Sequence, residues 1–467
     1  MDLGADYSEP RALSRGQAAL AVTLCLGEGI YALNSFLVST SLPSAVIELG
    51  GVGLISWAFT VYLVAAIVGG AAAGFLKQKI GSRAVLVMPA IVFLIGTLFA
   101  GFAPSMVVVL VGRTLQGLGE GIIAAACYAL VAELFPPRLV PKFFGLLAIT
   151  WAGCAFGGPL LAGFVTETWS WRIAFLMNVP LILIFLGLVF GIIPATRMAP
   201  KAMALPIGRL VGIACGIMLV AVASLQAEAW RSAALVIAAV IVLVAVFLFD
   251  RNRHERLFPS DAFQLTSTVG AGLWVALLMP LAQASTSVYL PLAIQRLWGY
   301  GPTAAGAISA VMALSWSTAA FLVASVTRSP FPTLLIRGGP VLLTLGLSGA
   351  AVAIVWEQAA LLVAAQIAIG CGFGVNWAFL SQAIMKAARP GEQDIASGLV
   401  PTTQSAGYAI GAATAGLVAQ FSGFTGDLAS QAFAPAMAMV FTVGAVIAMG
   451  AVLASLKVRH DVHLPAR

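Results

Sequence analysis

Three charged side chains lie inside apolar stretches that are long enough to cross a membrane. Arg113 and Glu120 fall in the run 105–135, seven residues and therefore about two helical turns apart, and Glu28 falls in the run 17–42. A charged group at the centre of a bilayer costs about 2.5–3.5 kcal/mol on insertion scales, so each of the three needs a partner or a function. A carboxylate at that depth can exchange a proton with either side of the membrane, and when ionised it can hold a cation.

Helix geometry places both glutamates near the middle of the bilayer. At a rise of about 1.5 Å per residue, Glu28 lies roughly 16 Å and Glu120 roughly 20 Å from the inner ends of their helices. We predict that both act in proton coupling together with Arg113, whose guanidinium stays charged at any relevant pH. We expect Arg113 to donate to helix-1 carbonyls or to Asn34. A structural ion pair between Arg113 and one glutamate is the alternative.

The composition is that of a protein embedded in lipid. Of 467 residues, 61% are hydrophobic and only 9% are charged, too few for a soluble protein of this size to cover its surface. The apolar runs, of about 20–28 residues, suit transmembrane helices, whereas a membrane β-strand needs only about 9–11 residues.

Fourteen transmembrane helices are predicted. We expect an all-α polytopic membrane protein made of two six-helix bundles plus an inserted helix pair. The predicted helices span 17–42, 51–76, 84–103, 106–134, 142–165, 174–196, 207–227, 231–249, 266–293, 303–327, 335–355, 358–386, 395–421 and 433–456.

The distribution of positive charge supports this count and predicts the orientation. Of 24 Lys and Arg residues, twenty fall in the connections expected on one side, three (Arg172, Arg231 and Arg296) fall on the other, and the last is Arg113. Positive charge accumulates on the cytoplasmic side. We therefore predict a multi-pass protein of the cell membrane with both termini cytoplasmic. No soluble basic domain is available for nucleic acid.

Two long charged connections divide the chain. They predict an N-terminal six-helix bundle over 1–197, a linker with two inserted transmembrane helices over 198–262, and a C-terminal six-helix bundle with a short cytoplasmic tail over 263–467. This arrangement is expected of transporters built from duplicated bundles, which bind their substrate between the two halves.

Neither a metal nor a cofactor is expected. The five cysteines lie within apolar helices without a CxxC pair, and the three histidines (His254, His460 and His463) lie in connections or in the tail. The sequence contains no Walker A motif, so ATP is not the expected energy source. The same positions of the histidines argue against a polytopic membrane enzyme.

Several motifs resemble those of the major facilitator superfamily. The segment "GFLKQKIGSR" (74–83) resembles its loop signature, and "RTLQG" (113–117) resembles the helix-4 signature of its drug:proton antiporters. The segments "GGPLLAG" (157–163), "WSWRIAFLMNVP" (169–180) and "ALNSFLVSTSLPSAV" (32–46) resemble further motifs of the fourteen-helix drug exporters. The C-terminal half resembles the group mainly in layout.

The resemblance implies a gating role for the loop and for helix 5. The residues concerned are Gly74, Gln78, Gly81, Arg83, Gly158, Pro159 and Gly163. Two positions depart from the family pattern, because Asn34 and Gln78 each stand where the family usually has aspartate. These departures bear on how far the coupling scheme of the family applies to this chain.

A substrate cavity of aromatic and uncharged polar side chains is predicted between the halves. Its candidates are Tyr31, Asn34, Gln116, Gln283, Trp316, Asn376, Trp377 and Gln404. Such a lining, with acids only in the N-terminal half, suits bulky lipophilic compounds. Hydrogen bonding between helices is the alternative role for each of them.

The function predicted from these features is secondary active transport. We expect a proton-coupled exporter, an antiporter of lipophilic and in part cationic small molecules that works by alternating access. The alternative is a proton-coupled transporter of a lipid, a siderophore or a metabolite. The expected partners are a small-molecule substrate, protons and the lipid bilayer. A monomer is expected, and a periplasmic adaptor is left open.

Overall fold

The computed structural model describes residues 14–136, 139–195, 207–226, 228–251, 257–326, 330–389, 392–424 and 426–458. Its helices are Arg15–Glu48 (α1), Ile55–Ile80 (α2), Ala84–Gly101 (α3), Met106–Leu134 (α4), Val140–Thr168 (α5), Trp171–Leu176 (α6), Asn178–Ile192 (α7), Ile207–Ala223 (α8), Ala229–Arg251 (α9), Thr268–Leu297 (α10), Pro302–Val323 (α11), Phe331–Val355 (α12), Ala359–Ala387 (α13), Gln393–Phe421 (α14) and Phe433–Ser455 (α15).

The predicted all-α membrane fold is confirmed. Within the described ranges, each of the fourteen predicted helices has a counterpart, and twelve spans are long and apolar enough to cross a membrane. The other two are α8, which has only 17 residues, and α14, which contains more polar side chains.

Most predicted boundaries differ from the structure, by up to six residues, and the differences at two helices have identifiable local causes. The first helix runs to Glu48, because Pro43 is accommodated within it. The sixth begins at Trp171, where the Ser170 hydroxyl caps it, and it is interrupted at Met177 between α6 and α7. Pro180 explains the interruption, since it has no N–H to donate to the carbonyl four residues earlier.

The N-terminal half (α1–α7) and the C-terminal half (α10–α15) meet along two seams. In one seam α5 packs against α11, and in the other α2 packs against α14. Successive helices cross in alternate directions, so the α2–α3 and α4–α5 connections share one side. We call this side, which carries Lys77, Arg83 and Lys142, the basic face, and we call the other, which carries Glu48 and Arg172, the opposite face.

The buried cores show which side is open. Near the opposite face, apolar side chains of both halves form one cluster, with Leu42 and Leu292 among its members. Near the basic face they form two separate clusters, one containing Phe143 of α5 and the other containing Phe379 of α13. The halves are therefore joined at the opposite face and diverge toward the basic face.

The inserted pair lies against one seam. Helix α8 packs on both α2 and α14, and α9 packs on α8. The buried carboxylate of Asp250 forms an ion pair with Arg209 and accepts the backbone N–H groups of Leu257 (3.0 Å) and Phe258 (3.1 Å). Asp250 thus fixes α9 both to α8 and to the connection that leads into α10. The domain boundaries given above remain a prediction.

Candidate functional site

Glu120 lies in the middle of α4 at the junction with α1 and α2. Its side chain is 1% exposed. The Oε2 atom accepts hydrogen bonds from the Tyr62 hydroxyl at 2.6 Å and from Asn34 Nδ2 at 3.0 Å. The Oε1 atom has no hydrogen-bond partner among the described residues. One oxygen is therefore held in place, and the other is unbonded within the packed junction, where it can carry a proton.

Asn34 connects Glu120 to α7. While its Nδ2 donates to Glu120, its Oδ1 accepts a hydrogen bond from Asn178 Nδ2 at 3.1 Å. An ionised aspartate has no donor, so it could not make both contacts. The departure from the family pattern at this position therefore supplies a donor for Glu120. Asn34 was predicted to lie on a cavity wall, whereas in the structure it is fully buried.

Arg113 is bound by α2 and by its own helix. Its Nε donates to the Ala58 carbonyl at 3.3 Å, and its Nη1 donates to Gln116 Oε1 at 2.8 Å. The expectation that Arg113 donates to helix-1 carbonyls or to Asn34 was wrong. The side of α4 that carries Arg113 packs against α2, which therefore supplies the carbonyl.

Gln116 belongs to the same buried network and does not lie on an open cavity wall. It is completely buried, and its Nε2 donates to Thr97 Oγ1 of α3 at 3.0 Å. Its amide joins α3 to the Arg113 guanidinium. The structure thus favours the interhelical role for this residue.

Tyr62 separates the two buried charges and was missed in the sequence. The centroid of its ring lies 3.9 Å from Cζ of the Arg113 guanidinium, and its hydroxyl donates to Glu120. Arg113 and Glu120 therefore interact through Tyr62 and do not form an ion pair. The sequence feature that could have identified Tyr62 is a tyrosine within an apolar helix, one turn after Ala58.

Glycine brings α2 close enough to α4 for these contacts. A Cβ at Gly117 would lie 2.1 Å from the Tyr62 carbonyl oxygen, and a Cβ at Gly121 would lie 2.1 Å from the Ala66 carbonyl oxygen. Both distances are far below van der Waals contact. The short distance between the two backbones sets the position of Tyr62 relative to Glu120.

We expect Gly117→Ala to force α2 away from α4. Overpacking of this kind costs about 1–3 kcal/mol, so the melting temperature should fall by several degrees and transport by roughly five- to tenfold. Thermal unfolding in detergent and uptake into vesicles measure the two effects. The matched control is Gly187→Ala in α7, where a new Cβ meets nothing within 4 Å. Equal effects at the two positions would contradict the role of Gly117.

Glu28 has a different environment from Glu120. It is 2% exposed, its Oε1 has no hydrogen-bond partner among the described residues, and Trp151 of α5 interacts with it. Tyr31 stands between the two acids, with its ring centroid 6.5 Å from that of Tyr62 and 5.7 Å from that of Trp151. The aromatic neighbour Trp151 was not among the predicted residues.

The predicted cavity residues of the C-terminal half divide into two groups. Asn376 is fully buried and donates to the Ile336 carbonyl at 2.6 Å, so it ties α13 to α12. Gln283 is also buried and donates to Thr286 and Ser287 within α10. For these two residues, the structure favours a packing role over a cavity wall.

The other three residues of that half are partly exposed. Trp316 stacks on Phe373 with ring centroids 4.8 Å apart, and Trp377 and Gln404 are half-buried on α13 and α14. Gln404 interacts with Tyr408 on the same helix. These side chains remain candidates for contact with a substrate.

The α2–α3 connection at the basic face contains two residues with defined structural roles. Gly81 ends α2 at φ +85°, a conformation that favours glycine. Arg83 Nε donates to the Ile193 carbonyl after α7 at 2.8 Å. Gly74 and Gln78 lie in the last turns of α2, exposed and half-buried respectively.

An ion pair joins the last turn of α2 to α4. Lys77 pairs with Glu133, so this lysine is already neutralised within the N-terminal half. The gating roles of Gly74, Gln78, Gly81 and Arg83 remain predictions.

The predicted gating residues of α5 pack against α1 and α11. A Cβ at Gly158 would lie 2.8 Å from Phe36 of α1. A Cβ at Gly163 would lie 2.5 Å from the Pro302 carbonyl oxygen, and one at Gly306 would lie 2.2 Å from the Pro159 carbonyl oxygen. The backbones of α5 and α11 therefore touch near the opposite face.

Glu167 adds a polar contact to this closed end. Its Oε2 accepts the backbone N–H of Thr303 at 3.0 Å, in the first turn of α11. The N-cap residue Gly301 offers no side-chain acceptor, so a carboxylate from the other half satisfies this donor. The bond can exist only while the halves are together at the opposite face.

We expect Glu167→Ala to favour opening of the opposite face. Loss of one such hydrogen bond should change the ratio of open to closed molecules by about two- to fivefold. Distances between spin labels at positions 169 and 356, one in each half, measure the change. The control is Glu228→Ala, which removes an acid that pairs locally with Arg231. An unchanged distance distribution for Glu167→Ala would contradict the expectation.

Comparison with known proteins identifies the family. Residues 24–202 and 195–412 match the profile of the Major Facilitator Superfamily. The chain belongs to this superfamily. A protein of Mycobacterium tuberculosis named as a probable multidrug-efflux transporter is 28% identical over 465 residues, covering 95% of each chain.

Two solved transporter structures share the fold. A peptide transporter in complex with sulfate superposes with a TM-score of 0.67 at 16% identity and covers 96% of either chain. A D-xylose–proton symporter superposes with a TM-score of 0.62 at 13% identity, covering 92% of this chain and 97% of the other. The resemblance inferred from the motifs is confirmed, and the protein is a multi-pass membrane transporter of small molecules.

Proposed function

We propose that this superfamily member is a proton-coupled antiporter that exports lipophilic and cationic small molecules. The observation that carries the proposal is Glu120, a buried carboxylate in mid-membrane with one oxygen fixed by Tyr62 and Asn34 and the other unbonded. The likeness to the mycobacterial protein supports multidrug efflux as the direction and the substrate class.

Proton and substrate compete in this scheme. When Glu120 is ionised, its negative charge attracts a cation that enters the space between the halves, although the carboxylate itself is buried beside Tyr62. When Glu120 takes up a proton, that attraction is lost and the substrate leaves. Glu28, beside Trp151 and Tyr31, offers a second carboxylate with an aromatic surround that suits an organic cation.

The orientation follows from the positive charge. We propose that the basic face is cytoplasmic, as the positive-inside tendency predicts, together with both chain termini. The structure, whose cores separate at the basic face, then corresponds to a state that admits substrate from the cytoplasmic side. Rocking of the halves that separates the Gly163–Pro302 and Gly306–Pro159 contacts would expose the site to the other side.

Reconstitution tests the proposal directly. Purified protein in proteoliposomes with an imposed pH gradient should drive a cationic dye against its own gradient, and a protonophore should abolish the movement. A screen over cationic dyes, neutral drugs, lipids and siderophores identifies the substrate class. Transport that is indifferent to the pH gradient would reject proton coupling, and transport of only lipids or metabolites would reject the proposed cargo.

A further inference from the structure

Asn178 holds the Asn34 amide on the side away from Glu120. It is the first residue of α7, directly after the interruption at Met177, and it is completely buried. Its Nδ2 donates to Asn34 Oδ1 at 3.1 Å and to the Phe175 carbonyl at 3.3 Å. Its Oδ1 has no hydrogen-bond partner among the described residues. Both hydrogen bonds of Asn178 in this network therefore use its donor group.

The Phe175 carbonyl determines which way both amides point. A backbone carbonyl can only accept, so the end of Asn178 that faces it must be the NH2 group. The same NH2 group faces Asn34, which must therefore turn its oxygen toward Asn178 and its own NH2 group toward Glu120. If Asn178 were turned over, its oxygen would meet two other oxygens. One backbone group beside the helix interruption thus sets the polarity of the whole chain of hydrogen bonds.

This polarity favours the ionised form of Glu120. Its Oε2 receives two donors, the Asn34 amide and the Tyr62 hydroxyl, and donors stabilise a carboxylate. A protonated Glu120 would instead need an acceptor for its O–H group. The oxygen of Asn34 could accept, but Asn178 keeps it turned to the other side.

The effect of Asn178 on Glu120 can be separated from that of the charged and titratable groups nearby. Helices α3 and α7 contain no titratable side chain. The titratable groups around Glu120 on the other described helices are Tyr62 of α2, Arg113 of α4, and Tyr31 and Glu28 of α1. Among the described residues, Asn178 forms no hydrogen bond with any of these groups, so a change at Asn178 reaches Glu120 through Asn34.

We propose that Asn178 is a positioning residue for the coupling proton: anchored to the Phe175 carbonyl, it fixes the Asn34 amide with its donor toward Glu120 and so favours release of the proton. The inference rests on the proposed function for the role of Glu120. It also gives a function to the interruption between α6 and α7, because both Phe175 and Asn178 lie beside it.

Infrared spectroscopy tests the proposal without a substrate. The carbonyl stretch of protonated carboxyl groups is titrated with the full-length protein in phospholipid nanodiscs, and the band that disappears in Glu120→Gln belongs to Glu120. Asn178→Leu has a similar shape but no donor, so the Asn34 amide can turn and offer its oxygen to the protonated acid. Because the protonated form gains a hydrogen bond, the midpoint of the Glu120 band should move to higher pH by about one unit. Asn178→Ala removes the same donor and should move the midpoint in the same direction.

Asn376→Leu is the matched control. Asn376 is also completely buried, donates to a backbone carbonyl, that of Ile336, and has an unbonded Oδ1, but it has no hydrogen bond to a carboxylate among the described residues. Asn376→Leu should lower the melting temperature as Asn178→Leu does and leave the Glu120 midpoint unchanged. In an Asn34→Ala background, Asn178→Leu should cause no further shift, because Asn178 acts through Asn34.

The other outcomes overturn the proposal in identifiable ways. An unchanged midpoint in both Asn178 variants, or equal shifts in Asn178→Leu and Asn376→Leu, would leave Asn178 a packing residue. A further shift in the Asn34→Ala background would mean that Asn178 acts on Glu120 by another route. The absence of any band that depends on Glu120 would reject both this proposal and the coupling role of Glu120. A protein in which Asn178 sets the Glu120 midpoint, but whose transport ignores a pH gradient, fails only the proposed function. Thermal unfolding shows whether each variant is folded.

Discussion

Glu120→Gln is expected to abolish export driven by a pH gradient and to leave the protein folded. Glutamine has nearly the same shape, and its amide oxygen can still accept from Tyr62 and Asn34, so the junction of α1, α2 and α4 should persist. Glutamine cannot carry the coupled proton. Uphill transport should therefore fall to the background level, whereas binding of neutral ligands should change by less than about threefold.

Substrate-induced proton release in detergent, followed at several pH values, is the decisive measurement. The unmodified protein should release protons when a cationic ligand binds, and Glu120→Gln should not. Glu357→Gln provides the control, because Glu357 is an exposed acid in the connection between α12 and α13. If Glu120→Gln releases protons like the unmodified protein, Glu120 is a structural residue and Glu28 becomes the coupling candidate.

The buried charges could be located from the sequence because they are exceptions in an apolar background. Arg113, Glu120 and Glu28 are all at least 98% buried, as their positions within long apolar runs predicted. Their partners could not be predicted in the same way. Tyr62 precedes Glu120 by 58 residues, and a tyrosine in an apolar helix is unexceptional, so only the packing of α2 on α4 identifies it.

Polar residues in apolar helices were harder to interpret than charges. Gln116 and Asn376 have the composition expected of a cavity wall, yet each is buried with a partner on a neighbouring helix. An amide can serve either purpose, and its direction around the helix axis decides between them. That direction depends on how neighbouring helices pack, which local sequence does not determine.

The helix boundaries show a similar limit. Residues 106–134 were predicted without error, because Pro104 and Ser105 precede them and Pro136 follows closely. The interruption at Met177 was missed, and so was the extension of α1 through Pro43. Proline breaks one of these helices and not the other, since the outcome depends on which neighbouring groups replace the lost hydrogen bond.

Arg113→Lys is expected to impair transport although it keeps the positive charge. The guanidinium donates to the Ala58 carbonyl and to Gln116 while its plane lies over the Tyr62 ring. An ammonium group is a compact point charge and cannot make all three contacts at once. Hydrogen bonds from a charged donor contribute about 1.5–3 kcal/mol each, so the loss of one should reduce proton-driven export about ten- to hundredfold.

The chain contains a matched control for this substitution at the opposite face. Arg172 also lies over an aromatic ring, that of Trp171 at 4.2 Å, and it donates to the Ala103 carbonyl at 2.7 Å and pairs with Glu48. It is partly exposed, so water can replace lost contacts and Arg172→Lys should reduce export by less than about threefold. Initial rates in proteoliposomes, normalised to folded protein, compare the two. If Arg113→Lys transports at the rate of Arg172→Lys, the positive charge suffices beside Tyr62, and the planar contacts of Arg113 do not position the ring that holds Glu120.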